Sequence, residues 1–202
     1  MNHASYLLER YFEGKDKDRP EVIKETFSNS AIVTFDIKTD VISFPPIIEG
    51  SDNIAAQMFD DFHQKFEHVE SYYVITGDRP EPKENQILSL PWLVTMKERE
   101  GNIFRVGTGY YDWTFEKNKS TDGDQSQWLV NALHIYIHDM VVFEVEDPKY
   151  LSLLRKNYSY PWLNRDALIA SLAEDQRFST ILSFHENHEK SKMCVQDALV
   201  TV

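Results

Sequence analysis

The sequence predicts an α+β fold, with helices gathered at the N-terminus and long antiparallel strands after them. Apolar residues repeat at helical spacing through the first third, and from about Glu70 the pattern changes to period two with β-branched and aromatic residues. The connections in that second region are short. Consecutive strands joined by tight turns cannot be the parallel crossover units of an α/β sheet.

Each element has its own signal. Tyr6, Leu7, Leu8, Tyr11 and Phe12 form one apolar face, followed by charges and Gly14, which predicts a short amphipathic helix and a turn. Pro20 suits the first turn of a second helix reaching about Phe27, with Val22, Ile23 and Phe27 at helical spacing. Ser28 and Asn29 are expected to break it, and Ala31 to Ile37 is β-rich. Pro45 and Pro46 forbid a central strand, and Gly50, Ser51 and Asp52 supply a turn and an N-cap. A third helix is predicted from about Asn53 to Glu67 on the stripe Ile54, Ala55, Met58, Phe59, Phe62 and Phe66. Strands follow at about Glu70 to Thr76, Gln86 to Lys97, Ile103 to Phe115 and Gln127 to Val145. Glu100, Gly101 and Asn102 make a short hairpin between two of them, and the polar run Lys117 to Ser126 a longer one. Beyond Asp147, the stretches Tyr150 to Leu154, Leu163 to Leu172 and Phe178 to Phe184 read as two or three helices, with a break at Pro161. Glu189 to Val202 shows no clean periodicity and is expected to fray.

A chain of 202 residues is the size of one domain. Its 21 basic and 33 acidic residues give a net charge of −12, a field that repels phosphate backbones and anionic lipid heads, so neither nucleic acid nor a membrane is an expected partner. The sequence has no apolar run near the roughly 18 residues that span a bilayer, no secretory pattern at its start and a single cysteine, Cys194. A cytoplasmic location is therefore expected. Gly107 and Gly109 lie inside a strand and make no phosphate loop, and no cofactor is expected; no Gly-x-Ser-x-Gly elbow is present and Cys194 has no evident base, which disfavours nucleophilic hydrolysis. His185-Glu186-Asn187-His188-Glu189 lacks the spacing of a helical zinc motif, and no metal site is expected.

Three helices, a β-segment between the second and third, and then four long strands resemble the cone-shaped nuclear transport factor 2-like fold in its SnoaL-like branch. The run Phe104-Arg105-Val106-Gly107-Thr108-Gly109-Tyr110-Tyr111-Asp112-Trp113-Thr114-Phe115 is similar to that branch's third-strand pattern. Phe66-Glu67-His68-Val69-Glu70-Ser71 resembles the family's histidine at the start of the first long strand. Gln127-Trp128-Leu129-Val130 is similar to its Gly-Trp-Arg-Ile motif, with the Gly absent and the Arg replaced by Leu129. The resemblance covers residues 1–146 and implies a cone of three helices packed in a curved antiparallel sheet. Residues 147–202 are then a helical extension, packed on the same domain or swapped with a second subunit.

The resemblance also implies a pocket at the open end of the cone, lined by alternate strand residues. If Tyr111 points inward, then Arg105, Gly107, Gly109 and Trp113 share its side. Matching register puts Ala132, His134, Tyr136 and His138 inward on the last strand, and a β-bulge would exchange the set. Four residues are candidates for catalysis. His134 suits a general base or acid, or a hydrogen-bonded structural residue. His68 matches a catalytic histidine of scytalone dehydratase-like relatives, or caps the third helix. Asp36 falls close to the catalytic aspartate of ketosteroid isomerase-like members, one residue out of register, or is a solvated carboxylate. Tyr111 is a donor to a developing oxyanion, or a packed aromatic. Trp92, Arg105, Trp113 and Tyr136 are candidates for substrate binding. Arg105 pairs with Asp36, binds a substrate carboxylate, or holds Glu98 across the short hairpin.

The expected function is a small, largely apolar or aromatic molecule held in the cone, with cofactor-free proton transfer: isomerisation, dehydration or cyclisation. The competing expectation is a non-catalytic ligand-binding or assembly module that uses the outer sheet face. A homodimer through the sheet is expected in either case. The small subunit of a ring-hydroxylating oxygenase shares the fold and length, but its aromatic-acidic N-terminal signature has no match here.

Overall fold

The computed structural model describes residues 3–59, 62–119, 126–147 and 149–187. Two helices, α1 (Ala4–Asp16) and α2 (Pro20–Thr26), precede β1 (Phe27–Ile37), the short edge strand β2 (Ile47–Glu49), α3 (Ser51–Phe59) and α4 (Phe62–Lys65). Four long strands follow: β3 (Phe66–Ile75), β4 (Leu88–Glu98), β5 (Ile103–Lys119) and β6 (Ser126–Glu144). The C-terminal part holds α5 (Tyr150–Leu154), β7 (Trp162–Asn164), α6 (Arg165–Leu172) and helical residues 179–187.

The strands form one curved, unclosed sheet in the order β2-β1-β6-β5-β4-β3-β7. It is antiparallel from β6 to β3 and parallel where β1 meets β6 and where β3 meets β7. Its concave face closes over α1, where Leu8, Tyr11 and Phe12 pack with Tyr73, Trp92, Tyr111, Trp113, Leu133 and Ile135. Tyr72, Leu93, Phe104, Val106 and Phe143 on the convex face are covered by Leu151, Leu168, Leu172, Phe178 and Ile181. Residues 71–74 of β3 and 92–96 of β4 are thus buried on both faces, which accounts for their nearly continuous apolar composition. Each such buried side chain stabilises the fold by about 1.5–3 kcal/mol.

Several expectations are corrected. The stretch predicted as the third helix falls in α3 and α4, and α4 stops at Lys65, because Phe66 and Glu67 pair with Glu98 and Lys97 as the first residues of β3. The second helix ends at Thr26, before Ser28 and Asn29 as expected, but these two residues already belong to β1, which starts earlier than the β-rich run from Ala31. Trp162 and Leu163 lie in a seventh strand beside Tyr73 and Val74, a segment too short for its periodicity to be read. The inward set on the last strand is also reversed. Asn131 and His138 have no partner on β5, so β6 carries two bulges; Leu133, Ile135, Ile137 and Met140 face the concave core, and Ala132, His134, Tyr136 and His138 face out. The second bulge depends on Gly109, where a Cβ would stand 1.8 Å from the Tyr136 carbonyl oxygen.

Candidate functional site

The concave face retains a cavity of about 50 Å³ between α1 and the long strands. Tyr11 and Lys15 of α1, Trp92 of β4, Tyr111 of β5 and Ile135, Ile137 and Met140 of β6 line it, with Phe35, Ile42, Phe44 and Phe62 closing the mouth. A wider cleft of about 430 Å³ lies outside and shares Ile42, Phe44 and Phe62 with it.

The polar groups of the cavity come from α1 and β5. Lys15 follows Tyr11 by four residues and Phe12 by three, which places its ammonium on the buried side of the helix. There it donates to Asp16 Oδ1 at 2.8 Å and to Ser71 Oγ at 2.6 Å, and lies 5.7 Å from the centres of the Phe12 and Phe62 rings. The Asp16 side chain is only 2% exposed. It also accepts from the Ser71 amide at 2.6 Å, the Ser71 hydroxyl at 2.8 Å and the Tyr160 hydroxyl at 3.3 Å, so both oxygens are engaged. An ammonium has three N–H donors; Asp16 and Ser71 take two.

Tyr11 and Tyr111 supply the hydroxyls. Burial pushes both phenol pKa values well above the ordinary range, so both remain neutral donors across physiological pH. The two hydroxyls are near enough to influence each other's ionisation, and among the described residues the Tyr11 hydroxyl is buried with no settled hydrogen-bond partner. The indole N–H groups of Trp92 and Trp113 are likewise without an acceptor. Trp92 stacks on Tyr111 at 5.4 Å, and Tyr73, whose hydroxyl donates to the Leu8 carbonyl, backs the same cluster.

The residues singled out from sequence separate into two groups. Tyr111 and Trp92 line the cavity, and Trp113 lies fully buried behind Tyr111. Arg105 sits at the rim of the mouth, paired with Glu98 at 2.8 Å, and does not reach Asp36. The other four lie outside the cavity. Asp36 is on the convex face of β1, its side chain 45% exposed and paired with Lys38 at 2.9 Å. His134 also faces out, with its Nδ1 2.9 Å from Thr34 Oγ1, and Tyr136 stacks on Tyr110 at 4.6 Å. His68 is exposed in a bulge of β3 at φ +53°, with its carbonyl held by Arg155 at 2.6 Å. Lys15, Asp16 and Ser71 are not among the candidates the sequence offers, although Lys15 stands in the helical register of an apolar face, a readable signal. Among the described residues no three His, Cys, Asp or Glu side chains are grouped to hold a metal ion. His188, Glu189 and Cys194 lie outside the described residues.

A curved sheet wrapped on α1, with a cavity at its open end, is the nuclear transport factor 2-like cone fold. No protein-family model matches the sequence, and no curated protein matches it. Solved structures do match. A protein provisionally described as a scytalone dehydratase, from Novosphingobium aromaticivorans, is similar over 70% of this chain and 85% of its own, at 13% identity and a TM-score of 0.51. A type 2 hexachlorocyclohexane dehydrochlorinase (LinA) is similar over 70% of this chain and 89% of its own, at 16% identity and the same TM-score of 0.51. A nuclear transport factor 2-like superfamily protein from Salmonella enterica serovar Typhimurium gives 15% identity over 71% and 89%, with a TM-score of 0.48. Among the described residues no helix is long and apolar enough to cross a membrane.

Proposed function

We propose that this chain binds one small, neutral, largely apolar or aromatic molecule bearing a hydrogen-bond acceptor such as a carbonyl oxygen. The observation that carries the reading is the pairing of apolar walls with underused donors, a Lys15 N–H, the Tyr11 hydroxyl and the Trp92 indole N–H, beside the Tyr111 hydroxyl. Buried donors lacking acceptors cost free energy, and a ligand acceptor removes that cost. Lys15 is already neutralised by Asp16, so an anion gains little there. The cavity of about 50 Å³ is too small for an aromatic ring, but with the adjoining cleft of about 430 Å³ it reaches the size of small-molecule sites, roughly 300–1,000 Å³.

The same donors would stabilise negative charge on a bound carbonyl oxygen during proton transfer, the step that a cofactor-free isomerase or lyase needs. Catalysis further requires a base with a free lone pair. Asp16 has both oxygens engaged, and Asp36, His134 and His68 lie outside the cavity, which favours the binding reading over the catalytic one.

A thermal-shift comparison of acetophenone, ethylbenzene and benzoate tests this, because a ligand of the native state raises Tm by mass action. Acetophenone is expected to stabilise the protein more than ethylbenzene, which has a similar shape without the acceptor, and more than the anion benzoate. Equal shifts from the three, or none, would refute it. We also propose a homodimer through the convex strip of Ile32, Tyr110, His134 and Tyr136, beside the part of the sheet that the C-terminal helices cover. A monomeric mass by light scattering at micromolar concentration would refute that assembly.

A further inference from the structure

We infer that residues 38–46 form a strap that gates the cavity and sets the size of ligand it accepts, and that Arg105 is its latch. This rests on the ligand-binding reading above. The strap is tied at both ends, by the Lys38 amide to the Ile137 carbonyl at 3.0 Å and by the Phe35 amide to the Pro46 carbonyl at 3.1 Å. Between those ends, Ile42 and Phe44 turn inward and Val41, Ser43 and Pro45 turn outward, an alternation that places two apolar side chains in the cavity wall. Phe44 lies flat on Phe35, with ring centres 4.8 Å apart and planes 10° apart.

Both side chains belong at once to the inner cavity and to the outer cleft, so they are the partition between the two spaces. Among the described residues the middle of the strap has one backbone bond to the rest of the protein, from Arg105 Nη1 to the Val41 carbonyl at 2.8 Å. Arg105 is itself held in place, with Nε on Glu98 at 2.8 Å and its guanidinium 5.2 Å from the centre of the Phe66 ring. A fixed cation on the one strap carbonyl it reaches acts as a latch: breaking that charge-assisted bond frees the middle of the strap while both of its ends stay tied. Pro45 and Pro46 have fixed φ angles, so the bending falls on the Lys38 side. Outward movement of Ile42 and Phe44 joins the 50 Å³ cavity to the 430 Å³ cleft.

The test is stopped-flow tryptophan fluorescence with acetophenone and the larger 2-acetonaphthone, on wild type, Arg105→Met, Arg105→Lys and Phe44→Ala. Freeing the latch enlarges the open population, so Arg105→Met is expected to bind acetophenone with an association rate raised roughly tenfold, and Arg105→Lys, which keeps a cationic donor, with a smaller increase. Phe44→Ala removes the partition and is expected to shift preference toward 2-acetonaphthone by roughly tenfold or more. If wild type binds acetophenone but neither the rate nor the preference changes in any variant, the gate is wrong and the site stands. If acetophenone binds none of the four proteins, the site and its gate fall together. Phe44→Ala leaves the Arg105 cluster intact, so a folding defect in the Arg105 variants does not remove the test.

Discussion

Lys15 Nζ donates to Ser71 Oγ at 2.6 Å, a buried contact that ties the end of α1 to the middle of β3. Asp16 bonds to both partners, so helix and strand share one small polar knot inside an apolar cone. Removing one member of such a knot strands the others. Lys15→Met leaves a buried carboxylate without its cation and is expected to cost about 3–5 kcal/mol, whereas Ser71→Ala is expected to cost about 1–3 kcal/mol. Urea unfolding of the two variants measures this, and equal losses would show that the charge pair has no special weight.

The tyrosines make the fold sensitive to alkali. Burial pushes the hydroxyls of Tyr11, Tyr73 and Tyr111 well above the ordinary phenol range, and that of Tyr158 to about 12. Because the folded values are raised, the unfolded chain ionises first, near pH ~10. Their contribution to stability is full below that pH and is lost as pH rises toward the folded values. The urea midpoint should fall steeply above about pH 10, and tyrosinate absorbance should appear together with unfolding. Titration of all ten tyrosines at ordinary values in a folded protein would contradict this.

Gly107 and Gly109 stand two residues apart on β5 but differ in what surrounds them. A Cβ at Gly109 meets the Tyr136 carbonyl oxygen at 1.8 Å, backbone that cannot yield, so Gly109→Ala is expected to prevent folding. At Gly107 the nearest atom is the Met140 Cε at 2.8 Å, the movable end of a long side chain. Gly107→Ala is therefore expected to fold with a loss of about 1–3 kcal/mol. Soluble yield and urea midpoints of the two variants check the contrast.

Asp36→Asn and His134→Ala change the convex face only. Both are expected to leave acetophenone affinity within about threefold of wild type, less than the tenfold that 1.4 kcal/mol represents. Tyr111→Phe, by contrast, is expected to weaken binding. Titrations of the three variants check this, and a loss confined to Asp36→Asn or His134→Ala would place the site on the wrong face.

Much of the architecture was legible in the sequence because it rests on periodicity. The face Leu7, Leu8, Tyr11 and Phe12 specified α1, and the two-residue alternation specified the long strands. Periodicity misled where tertiary pairing overrode it. Phe62 and Phe66 continue a helical stripe, yet Phe66 pairs with Glu98 as strand. It was silent on register, since the bulges at Asn131 and His138 leave no mark in composition, and they decide that His134 and Tyr136 face out. The site was half legible. Tyr111 was placed inward by the family resemblance and Trp92 was named only as a candidate, whereas the Lys15, Asp16 and Ser71 knot needs two distant segments brought together.

The most direct test of the central claim is a proton–nitrogen correlation spectrum of the tryptophan indoles during an acetophenone titration. Trp92 lines the cavity and its N–H has no acceptor among the described residues; Trp162 donates to Glu9 at 2.8 Å, and the Trp128 ring lies near the Lys117 ammonium, both outside the cavity lining. The Trp92 resonance is expected to move saturably while those of Trp128 and Trp162 stay fixed. Saturable movement of Trp128 or Trp162 with Trp92 unchanged, or no movement at all, would contradict a ligand site in the cone.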